Sequence, residues 1–429
     1  MPDAIDPLLL GQRVVAILET GVRVATYKLA TLMALIDQCI ENLPEHPADP
    51  LLVPIPDLAH RVMELYWRQV RPFEGQLLRQ SNGERERIPR AVRALRSAAG
   101  ASSLSVAMTT APDIYRASID EIGLCLAQQP LYRLQRLPGS EASEPFLYDD
   151  SFLHSNVSRR TLRDHNDAIV LMPGVATGLA RLAGLLKPAL EIMWVDDVRR
   201  LNKFLSADVP DIAGHLFGRD RTALAAVRGP FKEVFGPHCF CCSTHLPADN
   251  PIDHVLPWSR VGIDGLANLV LACTRCNSDK RHALPAVDIV DRVLTRDQQV
   301  LEQIADEIRW PTEFTRVIAA ARGIYRGQPP GIATWSGYKS SVRFDVGFAP
   351  GWITAMPATV TPPPRTDTRL QTLRAAVRRR GHGRHCSSRS RPGRPSRLHR
   401  RYPRLATRLV DCVRWPRGPR RRDFRIARQ

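Results

Sequence analysis

Two cysteine pairs of identical spacing lie in the second half of the chain. Cys239 and Cys242 form one Cys-x-x-Cys pair, and Cys273 and Cys276 form the other after 30 intervening residues. Such pairs bind structural zinc because each directs two thiolates at one ion, and two pairs complete a tetrahedral set. Cys241 lies inside the first pair, and its use in place of Cys242 would break the spacing. The pattern predicts a structural Zn²⁺ site, with redox cysteines or chance clustering as the alternative.

The residues between and after these pairs predict a small hairpin followed by a helix. Asp253 and His254 lie in the segment Pro-Ile-Asp-His-Val-Leu-Pro-Trp, whose apolar flanks indicate a strand. Asn268 begins Asn-Leu-Val-Leu-Ala, which supplies the returning strand. Asn277 directly follows the last cysteine and opens a short helix. The hairpin would therefore carry an acid and a histidine beside the predicted zinc site.

In this order the residues resemble the HNH endonuclease family. The resemblance rests on Asp253-His254-Val-Leu-Pro-Trp, followed by Asn268-Leu-Val-Leu-Ala-Cys-x-x-Cys-Asn277-x-x-Lys280. It looks like the four-cysteine, His-Asn-Asn form of the family and covers residues 239–285. It implies the ββα-metal fold, in which a hairpin packs on a helix around one catalytic divalent ion.

The same residues suit hydrolysis of a phosphodiester bond. That reaction needs a nucleophile, stabilisation of the added negative charge and help for the leaving oxygen. Asp253 and Asn277 offer hard oxygen ligands, which suit a water-rich catalytic Mg²⁺ or Mn²⁺ ion. His254 is the candidate general base. Because adjacent strand residues point to opposite faces, a twisted hairpin has to bring Asp253 and His254 to the same substrate.

Other polar residues of the segment have predicted supporting roles. Asn268 belongs to the catalytic set, and we expect it to tie the hairpin loop through side-chain-to-backbone hydrogen bonds rather than to bind metal. Arg275 and Lys280 are candidates for contacts with the phosphates of nucleic acid. Three further histidines lie at the motif edges, and we interpret them as solvated or helix-capping residues: His238, His245 and His282.

Helical patterns surround this segment and must position it. Apolar residues at helical spacing predict helices over 26–43, from Pro56 to Val70, and over 88–98. The segments 131–137 and 145–148 flank a Pro-Gly-Ser turn and predict a short hairpin or wing. Two interpretations stay open for this region: a DNA-docking relative of the helix-turn-helix fold and a helical bundle with solvated arginines.

The fold class predicted is α+β, with a mainly helical N-terminal region and a zinc-stabilised ββα-metal nuclease domain. The predicted organisation is a helical, alternatively winged-helix-like region (1–130), a hairpin and helical connector (131–205), the nuclease domain with flanking helices (206–325), a linker or irregular segment (326–361), and a basic tail (362–429).

The net charge of +18 is concentrated at the C-terminal end. Residues 362–429 contain 22 arginines, no lysine and three acids, whereas the rest of the chain is close to neutral. Low apolar content and high charge predict a disordered tail. Its origin stays open between a nucleic-acid-binding arm and a stretch translated out of frame, and either would bind phosphates.

These patterns lead to an expected function and location. No apolar stretch is long enough to cross a bilayer, and the N-terminus lacks the basic region of a secretory signal, so we expect a cytoplasmic protein without membrane contacts. The expected activity is metal-dependent hydrolysis of DNA, in restriction or phage defence. Alternatives are an RNA-directed nuclease and a non-catalytic, zinc-stabilised DNA-binding or scaffold protein. The expected partner is nucleic acid, DNA rather than RNA, and protein partners are undetermined.

Overall fold

The three helices predicted near the N-terminus are present in the computed structural model. They are α2 (Tyr27–Glu41), α3 (Ile55–Gln69) and α4 (Arg87–Ala99). A proline in the first turn of α3 suits the helix start, and Gly100 ends α4 in the left-handed conformation that glycine adopts readily. The other helices of this region are α1 (Pro7–Glu19), α5 (Leu104–Thr110), α6 (Pro112–Leu126), α7 (Arg159–Asp164) and α8 (Val175–Leu201).

The structure describes most of the chain before residue 355. The described residues are 6–19, 23–83, 86–100, 103–136, 145–205, 212–217, 221–345 and 350–354. The chain divides into the units Met1–Thr359 and Val360–Gln429, and every described residue belongs to the first. The predicted disordered tail (362–429) therefore lies outside the described residues. No helix in the described ranges combines the length and apolarity that a membrane crossing requires.

The prediction of a hairpin over residues 131–148 is wrong in its first strand. Helix α6 continues directly into a π-helical turn, Ala127–Leu131, so the chain is still helical where a strand was expected. The side chain of Gln135 then replaces a strand partner. Its Oε1 accepts the backbone amides of Phe146, Leu147 and Tyr148 at 2.7–3.2 Å, and its Nε2 donates to the Tyr148 carbonyl. The Pro-Gly-Ser turn lies outside the described residues.

The strand pair that does form in the N-terminal region joins distant parts of the sequence. Strand β1 (Leu51–Pro54) pairs antiparallel with β2 (Ala168–Leu171), with Leu51 opposite Leu171. More than one hundred residues separate the two strands, and residues before and after position 130 contribute to one hydrophobic cluster. The predicted division at residue 130 stays a prediction.

The segment with the cysteine pairs has the ββα arrangement predicted from the sequence. Strand β3 (Ile252–His254) pairs antiparallel with β4 (Leu269–Leu271), and α12 (Thr274–Lys280) follows. A short helix, α11 (Trp258–Val261), lies in the hairpin loop. The flanking helices are α9 (Ile212–Phe217), α10 (Arg221–Phe235), α13 (Val287–Leu294), α14 (Gln298–Ile308) and α15 (Phe314–Gly327).

Helix α15 connects the ββα segment to the N-terminal helices. It packs against α2 so closely that a β-carbon at Gly323 would lie 1.7 Å from the backbone oxygen of Ile40. Any larger residue at position 323 would therefore force the two helices apart. The helical extension predicted from the sequence is thus part of the common core.

The segment 326–361, predicted as a linker or irregular, contains a hairpin. Strand β5 (Ala333–Gly337) pairs with β6 (Ser340–Arg343), and a short helix, α16 (Gly351–Thr354), follows. Trp335 anchors the hairpin: it is 5% exposed and its indole nitrogen donates to Asp279 Oδ2 at 2.8 Å. The prediction failed because the strands are short and one of them, β6, is exposed throughout, which leaves little alternation in the sequence.

Candidate functional site

The two cysteine pairs converge on one point. The sulfur atoms of Cys239, Cys242, Cys273 and Cys276 all lie within 4.8 Å of one another. The backbone amide of Cys273 donates to Cys239 Sγ at 3.3 Å, and the amide of Cys276 donates to Cys273 Sγ at 3.4 Å. Amides directed at sulfur stabilise thiolates, because a hydrogen bond to the charged form favours that form.

These distances fit a tetrahedral zinc ion. Zn–S bonds of about 2.3 Å place neighbouring sulfurs about 3.8 Å apart, and Cys242 Sγ lies 3.7 Å from Cys273 Sγ. Four thiolates complete the coordination of zinc and leave no position for a substrate or water, so this site is structural. The cysteine cluster therefore has the chemistry and geometry of the predicted zinc site, and Cys241 lies outside it.

Asp253 and Lys280 form a buried ion pair at the centre of the ββα unit. Lys280 Nζ donates to Asp253 Oδ2 at 2.9 Å and to the His254 carbonyl at 2.6 Å. The two side chains are 4% and 2% exposed. Lys280 therefore links the last turn of α12 to strand β3. Its burial does not support the predicted phosphate contact, because a phosphate would have to displace Asp253 to reach the ammonium.

His254 is fully buried and is held by an acid that the sequence analysis missed. Its Nε2 lies 2.7 Å from Oδ1 of Asp264, a residue whose side chain is 45% exposed. A carboxylate can only accept, so Nε2 carries the proton and Nδ1 is the basic nitrogen. Nδ1 is buried and has no hydrogen-bond partner among the described residues. Buried polar atoms of this kind are rare and need an explanation, such as a role toward substrate.

Asn268 ties the hairpin loop as predicted. Its Oδ1 accepts the Leu256 amide at 2.8 Å, and its Nδ2 donates to the carbonyls of Leu256 and Ile263 at 3.2 and 3.0 Å. The side chain is fully buried. The loop that begins at Val255 is therefore closed on itself, which fixes both ends of the segment between His254 and Asp264.

Asn277 and Arg275 lie on different faces of α12. Asn277 is half-buried and precedes Lys280 by three residues, so both share the helix face that reaches Asp253. Arg275 is exposed, and its guanidinium lies over the Tyr338 ring at 4.8 Å. The histidines at the motif edges do not join the cysteine cluster: His238 and His245 pair in an isolated bridge, and His282 contacts Ser259 Oγ.

The loop that carries Asp264 is docked on the turn before α15. Trp310 Nε1 donates to the Asp264 carbonyl at 2.7 Å, and the amides of Leu266 and Ala267 donate to the carbonyls of Pro311 and Thr312. Gly265 is required here, since a β-carbon would lie 2.6 Å from the Thr312 oxygen. The position of Asp264, and through it the orientation of His254, depends on this turn.

A network of partly and fully buried charges joins that turn to the N-terminal helices. Arg316 binds Glu313 in the turn, Glu41 of α2 and Glu64 of α3 at 2.6–3.1 Å. Arg61 pairs with the same two glutamates of α2 and α3. Lys187 of α8 donates to Asp37 at 2.7 Å and to the carbonyl of residue 260 in α11. The N-terminal region thus contacts both the turn before α15 and the hairpin loop of the ββα unit.

Glu313 gives this network a pH dependence that can be measured. Burial, and then the nearby Glu64 carboxylate, raise the pKa of Glu313 from 4.5 to about 8. The folded state therefore holds more protons than the unfolded state between these values, so stability falls as pH rises through that range. We expect Glu313→Gln, which mimics the protonated acid, to flatten this slope and to stabilise the protein at pH 8 by at most about 4 kcal/mol.

Urea unfolding at several pH values measures this effect. The pKa of Glu64 is lowered to about 2 by Arg61, so its own contribution changes only below about pH 4.5 and does not overlap the Glu313 range. Glu302, an exposed acid of α14, provides the matched control as Glu302→Gln. Identical pH slopes for wild type and Glu313→Gln would show that Glu313 is ionised in the folded protein.

Two family models match the chain. Residues 247–286 match a model described as HNH endonuclease, and residues 10–216 match a domain of unknown function, DUF8808. No curated protein and no solved structure matches the sequence. The first match contains Asp253, His254, Asn268 and Asn277, and the four-cysteine cluster fits the zinc-binding form of that family. The segment is therefore an HNH endonuclease domain, and the resemblance identified from the sequence is confirmed.

Proposed function

We propose that this protein is a metal-dependent nuclease that hydrolyses phosphodiester bonds of DNA. The observation that carries the proposal is the environment of His254: it is buried, Asp264 holds its Nε2, and its Nδ1 has no hydrogen-bond partner among the described residues. A histidine in this state suits a general base, because its tautomer is fixed and its lone pair is available. An HNH domain around it supports a nucleic-acid substrate.

Asp253 and Asn277 are the proposed ligands of a catalytic Mg²⁺ or Mn²⁺ ion. Their donor chemistry fits: a carboxylate and an amide oxygen are hard ligands, and both side chains lie on the β3 and α12 faces that Lys280 joins. The contact with Lys280 uses Oδ2 of Asp253, and Oδ1 is the atom that a cation would take. When bound, such an ion neutralises charge on the phosphate and the leaving oxygen.

The residues of the chain itself supply positioning and proton transfer. His254 Nδ1 takes the proton of the attacking water, while Asp264 holds the ring and stabilises the imidazolium that forms. Asn268 keeps the loop closed. Lys280 neutralises Asp253 and holds the His254 backbone, so it acts on the site without touching the substrate.

A second candidate function is non-catalytic binding of DNA by a zinc-stabilised domain. The ion pair between Lys280 and Asp253 favours it, because an ammonium at 2.9 Å competes with a divalent cation for the carboxylate. The candidates differ in their response to metal. A nuclease requires Mg²⁺ or Mn²⁺ for cleavage, whereas a binding protein retains its affinity in a chelator and never cuts.

Incubation of the full-length protein with supercoiled plasmid tests the proposal. We expect nicked and linear products with Mg²⁺ or Mn²⁺ and none in EDTA. Asn277→Ala should raise the Mg²⁺ concentration needed for half-maximal rate by about 10- to 100-fold, as losses at metal sites typically do. Ser278→Ala, at an exposed neighbouring position of α12, is the matched control. Cleavage of structured RNA but not of plasmid would reassign the substrate, and no cleavage of either would favour the second candidate.

We propose restriction or phage defence as the biological setting. A nuclease fused to a helical region suits restriction or phage defence, and a cytoplasmic location agrees with that setting. The family of the N-terminal match has no described function.

A further inference from the structure

A hairpin outside the matched HNH segment lies directly beside the catalytic helix. The β5–β6 hairpin (333–343) is separated from α12 by more than fifty residues of sequence. Its turn residues Tyr338 and Lys339 nevertheless reach α12, because the backbone amide of Lys339 donates to Asp279 Oδ2 at 2.9 Å. The hairpin therefore extends the surface of the HNH domain on the side where α12 is exposed.

The hairpin is fixed to the HNH domain by several hydrogen bonds. Trp335 donates its amide to the Leu284 carbonyl and accepts the Ala286 amide at its own carbonyl, both at 2.7 Å. Its indole nitrogen donates to the same Asp279 oxygen that binds Lys339. A turn attached through both backbone and side chains is preorganised, so little conformational entropy is lost when it binds a ligand.

The outer surface of this turn carries cations arranged around one aromatic ring. The Arg275 guanidinium lies 4.8 Å from the Tyr338 ring centroid, and Lys339 Nζ lies 5.3 Å from it. Arg275 and Lys339 are exposed, and so is Arg281 at the end of α12. Asp279 is the acid of this cluster, and its Oδ2 accepts the hydrogen bonds from Trp335 and Lys339 that anchor the turn.

Such an arrangement suits phosphate groups. Cation–π contacts at exposed sites contribute about 0.5–1 kcal/mol, enough to order two flexible side chains without neutralising them. Carboxylates in the position of the ring would instead neutralise the positive charge of the two side chains. Arg275 also hydrogen-bonds the Cys242 sulfur, and both cations keep exposed surface beside the same tyrosine ring that an anionic ligand can reach.

We propose that Arg275, Tyr338 and Lys339 form a phosphate clamp that holds the DNA backbone next to the HNH site. The inference rests on the proposed function for its ligand, a DNA strand. It assigns the 333–343 hairpin to substrate positioning, with Tyr338 ordering the cations and Asp279 anchoring the turn. Because backbone contacts carry no sequence information, the clamp contributes affinity equally to all sequences.

Binding of a short fluorescein-labelled DNA duplex in EDTA tests the clamp without cleavage. The full-length double variant Arg275→Ala/Lys339→Ala should bind more weakly, and the slope of log K against log salt should become shallower by about 0.9 per lost phosphate contact. Tyr338→Ala should weaken binding, whereas Tyr338→Phe should not, because only the ring orders the cations. The Lys339 anchor uses its backbone amide, so these truncations leave the hairpin attached.

Arg116→Ala is the matched control, since Arg116 is an exposed arginine of α6 far from α12 in sequence. It should leave the slope unchanged, and the basic tail is the same in every variant. Unchanged affinity and slope in the double variant would overturn the clamp. The proposed function is tested separately. If the wild-type protein cuts no DNA but the variants bind DNA more weakly, the clamp alone is supported. If the wild-type protein is an active nuclease and the variants bind DNA as tightly as it does, only the clamp is excluded.

Discussion

His254→Ala should lower the rate of plasmid cleavage by about 10²- to 10⁴-fold, which is the usual effect of losing a general base. His254 is the only histidine of strand β3, and its buried Nδ1 has no hydrogen-bond partner among the described residues. DNA binding should persist, because a fully buried side chain contributes no contact with the duplex before reaction. Single-turnover cleavage with saturating protein measures the loss directly.

His254→Gln provides the matched control for the cavity that alanine leaves. Its side-chain amide can still donate to Asp264, so the packing and the hydrogen bond are conserved while the base is removed. We expect both variants to lose activity to a similar extent and His254→Gln to unfold at a temperature near that of the wild type. Full activity in either variant would exclude His254 as the base.

Asp264→Asn tests whether Asp264 orients His254 or stabilises the fold. Asp264 is half-exposed, so its replacement should change stability little, yet an amide cannot stabilise the imidazolium that forms when His254 takes a proton. Residues that orient a functional histidine typically contribute about 10- to 100-fold. We expect kcat to fall by that amount with KM unchanged, and Asp264→Glu to recover part of the rate. A rise in KM alone would assign Asp264 to substrate binding instead.

The parts of the site that could be predicted are those set by local sequence. The Cys-x-x-Cys pairs are recognised by their two-residue spacing, and Asn268 makes short-range hydrogen bonds to the loop that precedes it. Asp264 was missed because it is ten residues from His254 and meets it only after the turn at Gly262, which has a positive φ of 64°. The sequence Gly-Ile-Asp-Gly was the available indication, since glycines on both sides of an acid mark a constrained loop.

Lys280 shows why residue type alone did not predict its role. A lysine after a metal-ligand motif can point to solvent or back to the hairpin, and the choice depends on the angle between α12 and β3. In the structure the aliphatic part is buried and the ammonium meets Asp253, an arrangement that only the packed hairpin defines. The charge network around Arg316 and the contacts of the 333–343 hairpin could not be predicted for the same reason. Their interacting residues lie more than fifty positions apart in the sequence.

The helices were easier to predict than the strands for a related reason. Helix α3 takes its limits from its own sequence, with Pro54 and Pro56 at one end. The residues of β1 form a strand only because they pair with β2, which follows α6 and α7 in the sequence. At Gln135 a single side chain satisfied three backbone amides, so a segment that resembled a strand needed no strand partner. The errors in the fold therefore arose where side chains, distant partners or short exposed strands replaced the patterns that local sequence displays.

Cys273→Ser should remove zinc and unfold the HNH domain. Binding of structural zinc contributes about 10–16 kcal/mol in small zinc domains, more than the stability of most domains, and a hydroxyl is a poor substitute for a thiolate. Cys273 is also the N-cap of α12, where its sulfur accepts the Cys276 amide. Loss of this residue therefore removes a zinc ligand and the start of the helix that carries Asn277.

Metal analysis and limited proteolysis measure both consequences. Wild type should contain one zinc per chain, and Cys273→Ser should contain none and be cut rapidly within residues 239–286. Cys241→Ser is the matched control, because Cys241 lies between two ligands but outside the cluster of four sulfurs. It should retain one zinc and the protease resistance of the wild type. Zinc retained by Cys273→Ser, or lost from Cys241→Ser, would mean that the ligand set is not the one formed by the two Cys-x-x-Cys pairs.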